Sequence, residues 1–149
     1  MSQTAKILNI SEIKAKQERE DSGEPFHFED GGTFTVAFIG REDFSRRLAR
    51  LEDQARLARP ELKKKDQRGN YIKKLPPEVA EEIGARAMFG SIVLGWSSIT
   101  SDGATPLEFT EENFVTVLKS VRGLGNAILE FSSERENYHR EQVEANAGN

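Results

Sequence analysis

PFHFEDGGTFTVAFIG, residues 25–40, contains the clearest strand pattern in the chain. Apolar residues alternate with polar ones on both sides of the Gly31-Gly32 pair, at Phe26, Phe28, Phe34, Val36 and Phe38. Alternation at period two across a glycine-rich turn predicts a β-hairpin with a phenylalanine-rich buried face. A base-stacking platform is the alternative, but basic residues do not alternate with these phenylalanines, so core packing is favoured.

Before the hairpin, Asn9 and Glu12 have the spacing of a helix-capping pair, with Ser11 as an alternative cap. A short polar helix is predicted from there to about Arg19. Its apolar face is thin, and isolated short helices are weak in water. We therefore expect residues 1–23 to form a flexible segment that becomes ordered on a partner.

Amphipathic helices are predicted after the hairpin. Asp43 is placed to cap the first of them, and Pro60 ends it. Its apolar stripe is Phe44, Leu48, Leu51, Ala55 and Ala58. A second helix is predicted over residues 77–94, with Gly95 as its stop and Trp96 just beyond it.

Two more helices follow a turn and a brief extended piece at residues 105–109. Thr110 is placed to cap the first, whose first turn is acidic. Gly123 separates it from a last helix, whose stripe is Leu124, Ile128, Phe131, Arg135 and Tyr138. The expected fold is α+β and predominantly helical: an N-terminal hairpin followed by a compact set of about four helices. Residues 24–140 are expected to form one globular domain, with residues 141–149 as a flexible tail.

Composition is consistent with one modest core. The 149 residues are 36% hydrophobic and 31% charged, with a formal net charge of −4. Since there is no cysteine, disulfides and thiolate metal sites are excluded. The sequence has no long apolar run, so neither a signal peptide nor a membrane span is expected.

Basic residues cluster over residues 46–50 and again over residues 56–74. Phosphate contacts are one interpretation of the second cluster, and an acidic protein surface is another. A solvated, flexible connector is favoured, because no aromatic residue beyond Tyr71 lies among the charges. Nucleic acid is therefore not expected as a partner.

The residues offer little for catalysis. The two histidines, His27 and His139, lie in different predicted elements, which argues against a zinc site. Serines 97, 98 and 101 have no neighbouring histidine to act as a base. Adjacent glutamates at 81–82 and 111–112 point in different directions on their helices and suit helix starts. The segment 102–113 lacks the ligand spacing of an EF-hand. We expect no enzyme activity, no cofactor and no metal.

Three short stretches resemble the C-terminal half of tail assembly chaperones of long-tailed bacteriophages. They are WSSITSDG at residues 96–103, PLEFT at 106–110 and ENF at 112–114. The resemblance lies in the order of a tryptophan, an Asp-Gly turn, an extended piece and a capped helix. The helices predicted on either side, over residues 80–94 and 118–131, also fit this layout, and together these segments cover about half of the chain. The residues that carry it are Trp96, Asp102, Gly103, Phe109, Thr110 and Asn113.

This resemblance implies a non-catalytic protein of the host cell cytoplasm. Such a protein binds the phage tape measure protein and helps the tail tube protein assemble around it, and a homo-oligomer is expected. A structural tail-completion or connector subunit retained in the virion is the alternative.

Two apolar stripes are candidates for partner binding. One is Ile7, Ile10 and Ile13; the other is Leu124, Ile128, Phe131 and Tyr138. Packing within the chain's own core is the favoured alternative for each stripe. Trp96 and Phe109 are expected to be core side chains beside the Asp102-Gly103 turn rather than contact residues.

Overall fold

The computed structural model describes residues 6–139 of the chain. In chain order its elements are α1 (Ile10–Ser22), β1 (Glu24–His27), β2 (Thr33–Val36), α2 (Glu42–Leu57), a 3₁₀ helix (Pro60–Leu62), α3 (Pro77–Met88), β3 (Val93–Ser97), α4 (Glu111–Ser120) and α5 (Leu124–Ser133). Residues 136–139 are also helical. The predicted α+β class, with an N-terminal hairpin followed by helices, is confirmed. The tail expected at 141–149 lies outside the described residues.

The hairpin predicted from the phenylalanine pattern is present. β1 and β2 pair antiparallel with Phe26 opposite Phe34. Gly31 and Gly32 have φ of 121° and 86°, backbone angles that side chains disfavour, and the Gly31 amide donates to the Phe28 carbonyl at 3.0 Å. The glycine pair therefore makes the reversal that the alternating residues need.

A third strand, β3, was not expected. The helix predicted over residues 77–94 ends at Met88, because Gly90 takes a left-handed φ of 78° and its amide donates to the Val93 carbonyl at 2.8 Å. β3 then pairs antiparallel with β2, giving the sheet order β1-β2-β3 with Trp96 opposite Phe34. Trp96 thus lies in a strand, and the prediction that it follows a helix stopped by Gly95 was wrong.

α1 begins as its capping residues indicate. The Asn9 side chain accepts from the amides of Ser11 and Glu12, and Gly23 ends the helix with φ of 83°. No residue of α1 is buried. The expected flexibility of residues 1–23 stays a prediction.

α2 starts two residues earlier than predicted, after Arg41 rather than after Asp43, and no side chain caps it. The Asp43 carboxylate instead accepts a hydrogen bond from the Arg41 guanidinium at 2.8 Å, as part of an ion pair. The helix packs along α3. None of the helices within residues 6–139 combines the length and apolar character that a membrane crossing needs.

The last predicted helix, expected from Leu124 to Tyr138, is interrupted and forms two separate helical segments. α5 ends at Ser133, and the chain turns before Tyr138. Tyr138 packs edge-on against Phe38 at 5.7 Å and against Phe131 at 6.0 Å between ring centroids. The stripe from Leu124 to Tyr138 is therefore not the face of one continuous helix, because the turn after Ser133 folds its end back onto the core.

The sheet and the helices meet in one core. Its buried members are Phe34, Val36, Met88, Ile92, Val93, Phe114, Leu124 and Ile128. Ser132 fastens α5 to the residue after β2, since its buried hydroxyl donates to the Ala37 carbonyl at 2.7 Å.

Candidate partner-binding surfaces

The segment 96–113 forms a turn-and-cap module between β3 and α4. The Trp96 indole Nε1 donates to the Leu107 carbonyl at 2.8 Å. The Thr110 hydroxyl accepts from the Asn113 amide at 3.2 Å, and the Asn113 side chain donates to the Glu108 carbonyl at 2.9 Å. These bonds satisfy backbone groups that the extended piece and the start of α4 leave without helical or strand partners.

Four aromatic rings hold this module against the core. Trp96 meets Phe109 edge-on at 5.2 Å, and Phe109 lies 4.7 Å from Phe89. Phe114 is fully buried within 6.2 Å of all three rings. The structure thus places Trp96 and Phe109 inside an aromatic cluster, where they join β3 to α4.

Removing the cap of α4 has a predictable cost. Thr110→Ala leaves the Asn113 amide without its side-chain acceptor, so we expect the free energy of unfolding to fall by about 1 kcal/mol. Urea denaturation measures it. Thr116→Ala, an exposed threonine on the same helix, is the control and should change stability by less than about 0.5 kcal/mol. Equal losses in the two variants would contradict a capping role.

The Asp102 side chain stabilises the turn at Asp102-Gly103. Its carboxylate accepts from the amides of Thr105 and Ala104, both at 2.9 Å. These bonds, that of Thr105 foremost, lower the pKa of Asp102 below its ordinary 3.8. The ionised carboxylate therefore favours folding above that pH. The contribution is lost as the pH falls through the lower pKa of the folded state.

We expect a pH-dependent difference between the wild type and Asp102→Asn. Asparagine keeps an acceptor oxygen but has no charge, so the wild type should be the more stable protein near neutral pH. That advantage should decline as the pH falls below about 4, measured by urea denaturation at a series of acidic pH values. A difference that stays constant with pH would show that the charge contributes nothing.

An ion-pair network joins α2, α3 and α4. Arg86 contacts Glu112 at 3.0 Å, Glu111 at 3.1 Å and Glu82 at 3.3 Å, and Arg47 also pairs with Glu111. The hydrogen bond with Glu112 raises the pKa of Arg86 above its usual range and lowers that of Glu112. The sequence showed these glutamates only as helix-start residues. The arginine partners of Glu111 and Glu112 lie 25 or more residues away, so spacing along the chain does not reveal them. Glu82 pairs with Arg86 one helical turn away, a spacing that the sequence does display.

Neither histidine is close to a set of metal ligands. His27 Nδ1 lies 3.1 Å from the Thr33 hydroxyl, and His139 Nε2 lies 3.3 Å from Glu20. Within residues 6–139 no group of three or more His, Asp or Glu side chains could hold a metal ion.

The C-terminal stripe lies mainly inside the chain's own core. Leu124, Ile128 and Tyr138 are buried. Burial raises the pKa of the Tyr138 phenol above its usual range. Phe131 is half-buried, with its ring 5.2 Å from Phe26. In this conformation only Phe131 of the four has surface left for a partner.

The N-terminal stripe is exposed. Ile7 is 89% exposed, Leu8 72% and Ile10 62%, whereas Ile13 is half-buried. α1 is attached through its last turn. There the Glu20 carbonyl accepts from the Phe38 amide at 2.9 Å. Asp21 pairs with Arg41 at 3.0 Å. The apolar side chains at the other end of the helix remain available to another molecule.

A groove is a second open surface. It lies between α3 and the chain from the end of α4 into α5, and has a volume of about 860 Å³. Its lining includes Ala80, Gly84, Met88, Leu118, Gly125 and Leu129. Small residues on both walls leave room for close approach of a backbone.

The basic segment after α2 is held in place by a side chain that sequence reasoning did not single out. Arg56 is 4% exposed and donates to the carbonyls of Leu62 at 2.8 Å and Lys73 at 2.9 Å. It also pairs with Glu52 at 3.0 Å. We call residues 59–74 the basic flap. A clue was available in the sequence, since Arg56 follows Glu52 by one helical turn, but that spacing is common on exposed helices.

Comparison with known proteins gives one match. A family model described as YdaY prophage protein matches residues 40–149, which include α2 to α5 and the turn-and-cap module. No curated protein and no solved structure matches the chain. Because the match covers most of the sequence, this phage-derived chain belongs to the YdaY prophage protein family.

Proposed function

We propose that this phage-derived protein is a non-catalytic tail assembly chaperone. It binds the tape measure protein in the host cell cytoplasm and promotes assembly of the tail tube protein around it. Three findings support the proposal: membership of a prophage family, the resemblance of residues 96–114 to tail assembly chaperones, and open apolar surfaces on the fold.

The exposed apolar end of α1 carries the proposal. Ile7, Leu8 and Ile10 lie within four residues of one another, at the end of a helix that is tethered at its other end. Burying one such side chain fully contributes about 1.5–3 kcal/mol. Three of them provide a weak contact, and weak contacts repeated along a long client add up to stable coating. Weak individual contacts suit a chaperone that must later dissociate from its client.

The groove beside α3 supports the same function. A tape measure protein is expected to be long and helical, and a helix can lie against Ala80, Gly84 and Gly125 without large side chains holding it away. Met88, Leu118 and Leu129 supply apolar contact there. Two separate surfaces for one client raise avidity without requiring either to bind tightly.

Co-expression with the tape measure protein of the same prophage tests the proposal. The wild-type chain should keep the tape measure protein soluble and copurify with it. The triple variant Ile7→Ser, Leu8→Ser, Ile10→Ser should lose most of the copurified client. Because the three side chains are exposed, its free energy of unfolding should change by less than about 0.5 kcal/mol.

Lys6→Ser with Lys14→Ser is the matched control, because both lysines are exposed in the same segment. It should bind the client as the wild type does. A tape measure protein that remains insoluble and unbound beside the wild type would overturn the proposal. The chain's presence in purified virions at fixed stoichiometry would assign it instead to the structural tail proteins.

A further inference from the structure

The basic flap concentrates positive charge on an acidic protein. Residues 59–74 contain seven lysines and arginines and two acidic residues, in a chain whose net charge is −4. Within residues 6–139 none of these seven basic side chains makes an ion pair. Like charges held close together repel, so the excess positive charge of the flap attracts groups of opposite charge on another molecule.

The basic flap is a loop with its own internal hydrogen bonds, not the flexible connector that the sequence favoured. The Asp66 carboxylate accepts from the amides of Arg68 at 2.9 Å and Asn70 at 3.0 Å. The Ile72 amide donates to the Lys64 carbonyl at 3.0 Å. Arg56 holds the loop near both of its ends, through the carbonyls of Leu62 and Lys73. The lysines are thus presented from a fixed backbone, which lowers the entropy lost when they bind.

Apolar surface accompanies the charge. Five large hydrophobic side chains are strongly exposed within the described residues; three are in the N-terminal segment, and the other two are Leu57 and Ile72. Leu57 follows Arg56 directly, and Ile72 precedes Lys73, the residue whose carbonyl Arg56 binds. Charge together with exposed aliphatic side chains is typical of a protein-binding surface, whose apolar centre has a polar rim.

The single aromatic ring of the flap is already occupied. The Arg56 guanidinium lies 3.9 Å from the centre of the Tyr71 ring, and the Lys65 ammonium lies 4.8 Å from it. The Tyr71 hydroxyl donates to Asp53 at 2.7 Å. Single-strand binding proteins stack bases on free rings, and this ring is not free. The arrangement therefore favours a protein partner over a nucleic acid.

We propose that the basic flap, with Leu57 and Ile72, docks an acidic amphipathic helix of another protein. Carboxylates on one side of that helix face the lysines and arginines, and its aliphatic stripe covers the two exposed side chains. Residues spaced three and four apart on a helix present both features on adjoining faces. The proposal does not depend on whether the partner is a tape measure protein.

Fluorescence anisotropy with the full-length chain tests this directly. The probe is a labelled helical peptide of about 20 residues, made of Glu, Ala and Leu, with its leucines at helical spacing. Its competitor has the same composition in an order that destroys the leucine stripe. We expect the striped peptide to bind at least about fivefold more tightly at physiological salt.

Variants then assign the binding to the flap. Lys64→Glu with Lys73→Glu should weaken binding of the striped peptide at least about tenfold, and Ile72→Ser at least about threefold. Lys6→Glu with Lys14→Glu makes the same change of net charge on exposed residues at α1 and should cost less than about twofold. Thermal unfolding of every variant checks that the fold is kept.

Several outcomes would overturn the inference. One is that the striped peptide fails to bind the wild type. Another is that the scrambled peptide binds equally well. A third is that the Lys6→Glu, Lys14→Glu control weakens binding as much as the flap variant does. Tighter binding of single-stranded DNA of equal charge would assign the flap to nucleic acid. Flap-dependent dimers in sedimentation equilibrium would assign it to a second copy of the chain.

Discussion

Phe114→Ala is expected to lower the free energy of unfolding by about 4 kcal/mol, the largest effect of any single change considered for this protein. Phe114 is fully buried and touches the rings of Phe89, Trp96 and Phe109. Alanine removes the ring that those three share, and the cavity cannot collapse without moving both β3 and α4. The cost is therefore the lost burial plus the cavity.

Urea and thermal denaturation measure this loss, which should lower the melting temperature by roughly 10 °C. Phe114→Leu keeps most of the volume and should cost roughly half as much. Leu57→Ala removes a large side chain that is mostly exposed, and should change stability by less than about 0.5 kcal/mol. If Phe114→Ala were as mild as Leu57→Ala, the aromatic cluster would not be the join between sheet and helices.

Arg56→Ala is expected to cost about 3 kcal/mol and to loosen the basic flap. The change removes a buried guanidinium that donates to two backbone carbonyls, pairs with Glu52 and lies against the Tyr71 ring. The Leu62 carbonyl then loses its Arg56 donor. Hydrogen exchange should show the loosening, because the Ile72 amide depends on a bond across the flap.

Two further variants separate the causes. Arg56→Lys keeps the charge but has one donor group in place of the planar fork, so it should recover only part of the stability. Arg50→Ala lies on the same helix, is exposed, and makes no ion pair within residues 6–139, so it should change little. Unchanged stability together with unchanged exchange in Arg56→Ala would mean that the flap is held by other contacts.

The same variant connects stability to binding. If the fixed backbone of the flap is needed to present its charges, Arg56→Ala should also weaken binding of the striped acidic peptide. Every lysine of the flap is still present in this variant. It should leave capture of the tape measure protein by the apolar end of α1 unchanged. Loss of client capture without loss of peptide binding is expected from the triple variant at Ile7, Leu8 and Ile10. The two proposals therefore fail or succeed separately.

Local chemistry made several elements predictable. The phenylalanine alternation and Gly31-Gly32 specify the hairpin, Asn9 and Thr110 cap α1 and α4, and Gly123 separates α4 from α5. Each depends on contacts within a few residues, which spacing along the chain displays directly. The turn-and-cap module is predictable for the same reason, since its hydrogen bonds close over at most eleven residues.

β3 shows why other features were missed. Residues 89–97 are a short apolar run, and such a run fits the buried end of a helix as well as a strand. The free edge of β2 favours the strand, because residues around Trp96 pair with residues around Phe34 and so form their backbone hydrogen bonds in the sheet. In a helix, the same backbone groups would bond within the segment itself. A single sequence does not show that edge.

What the sequence determined by itself is the set of local elements: the hairpin, the caps and the breaks between helices. Only the tertiary structure decided which apolar and charged residues remain open. It buries Leu124, Ile128 and Tyr138 and leaves the N-terminal isoleucine Ile7 exposed, and it turns Arg56 inward to hold the basic flap. Residue type and spacing indicate which side chains favour burial, but which of them are buried depends on contacts between segments far apart in the chain.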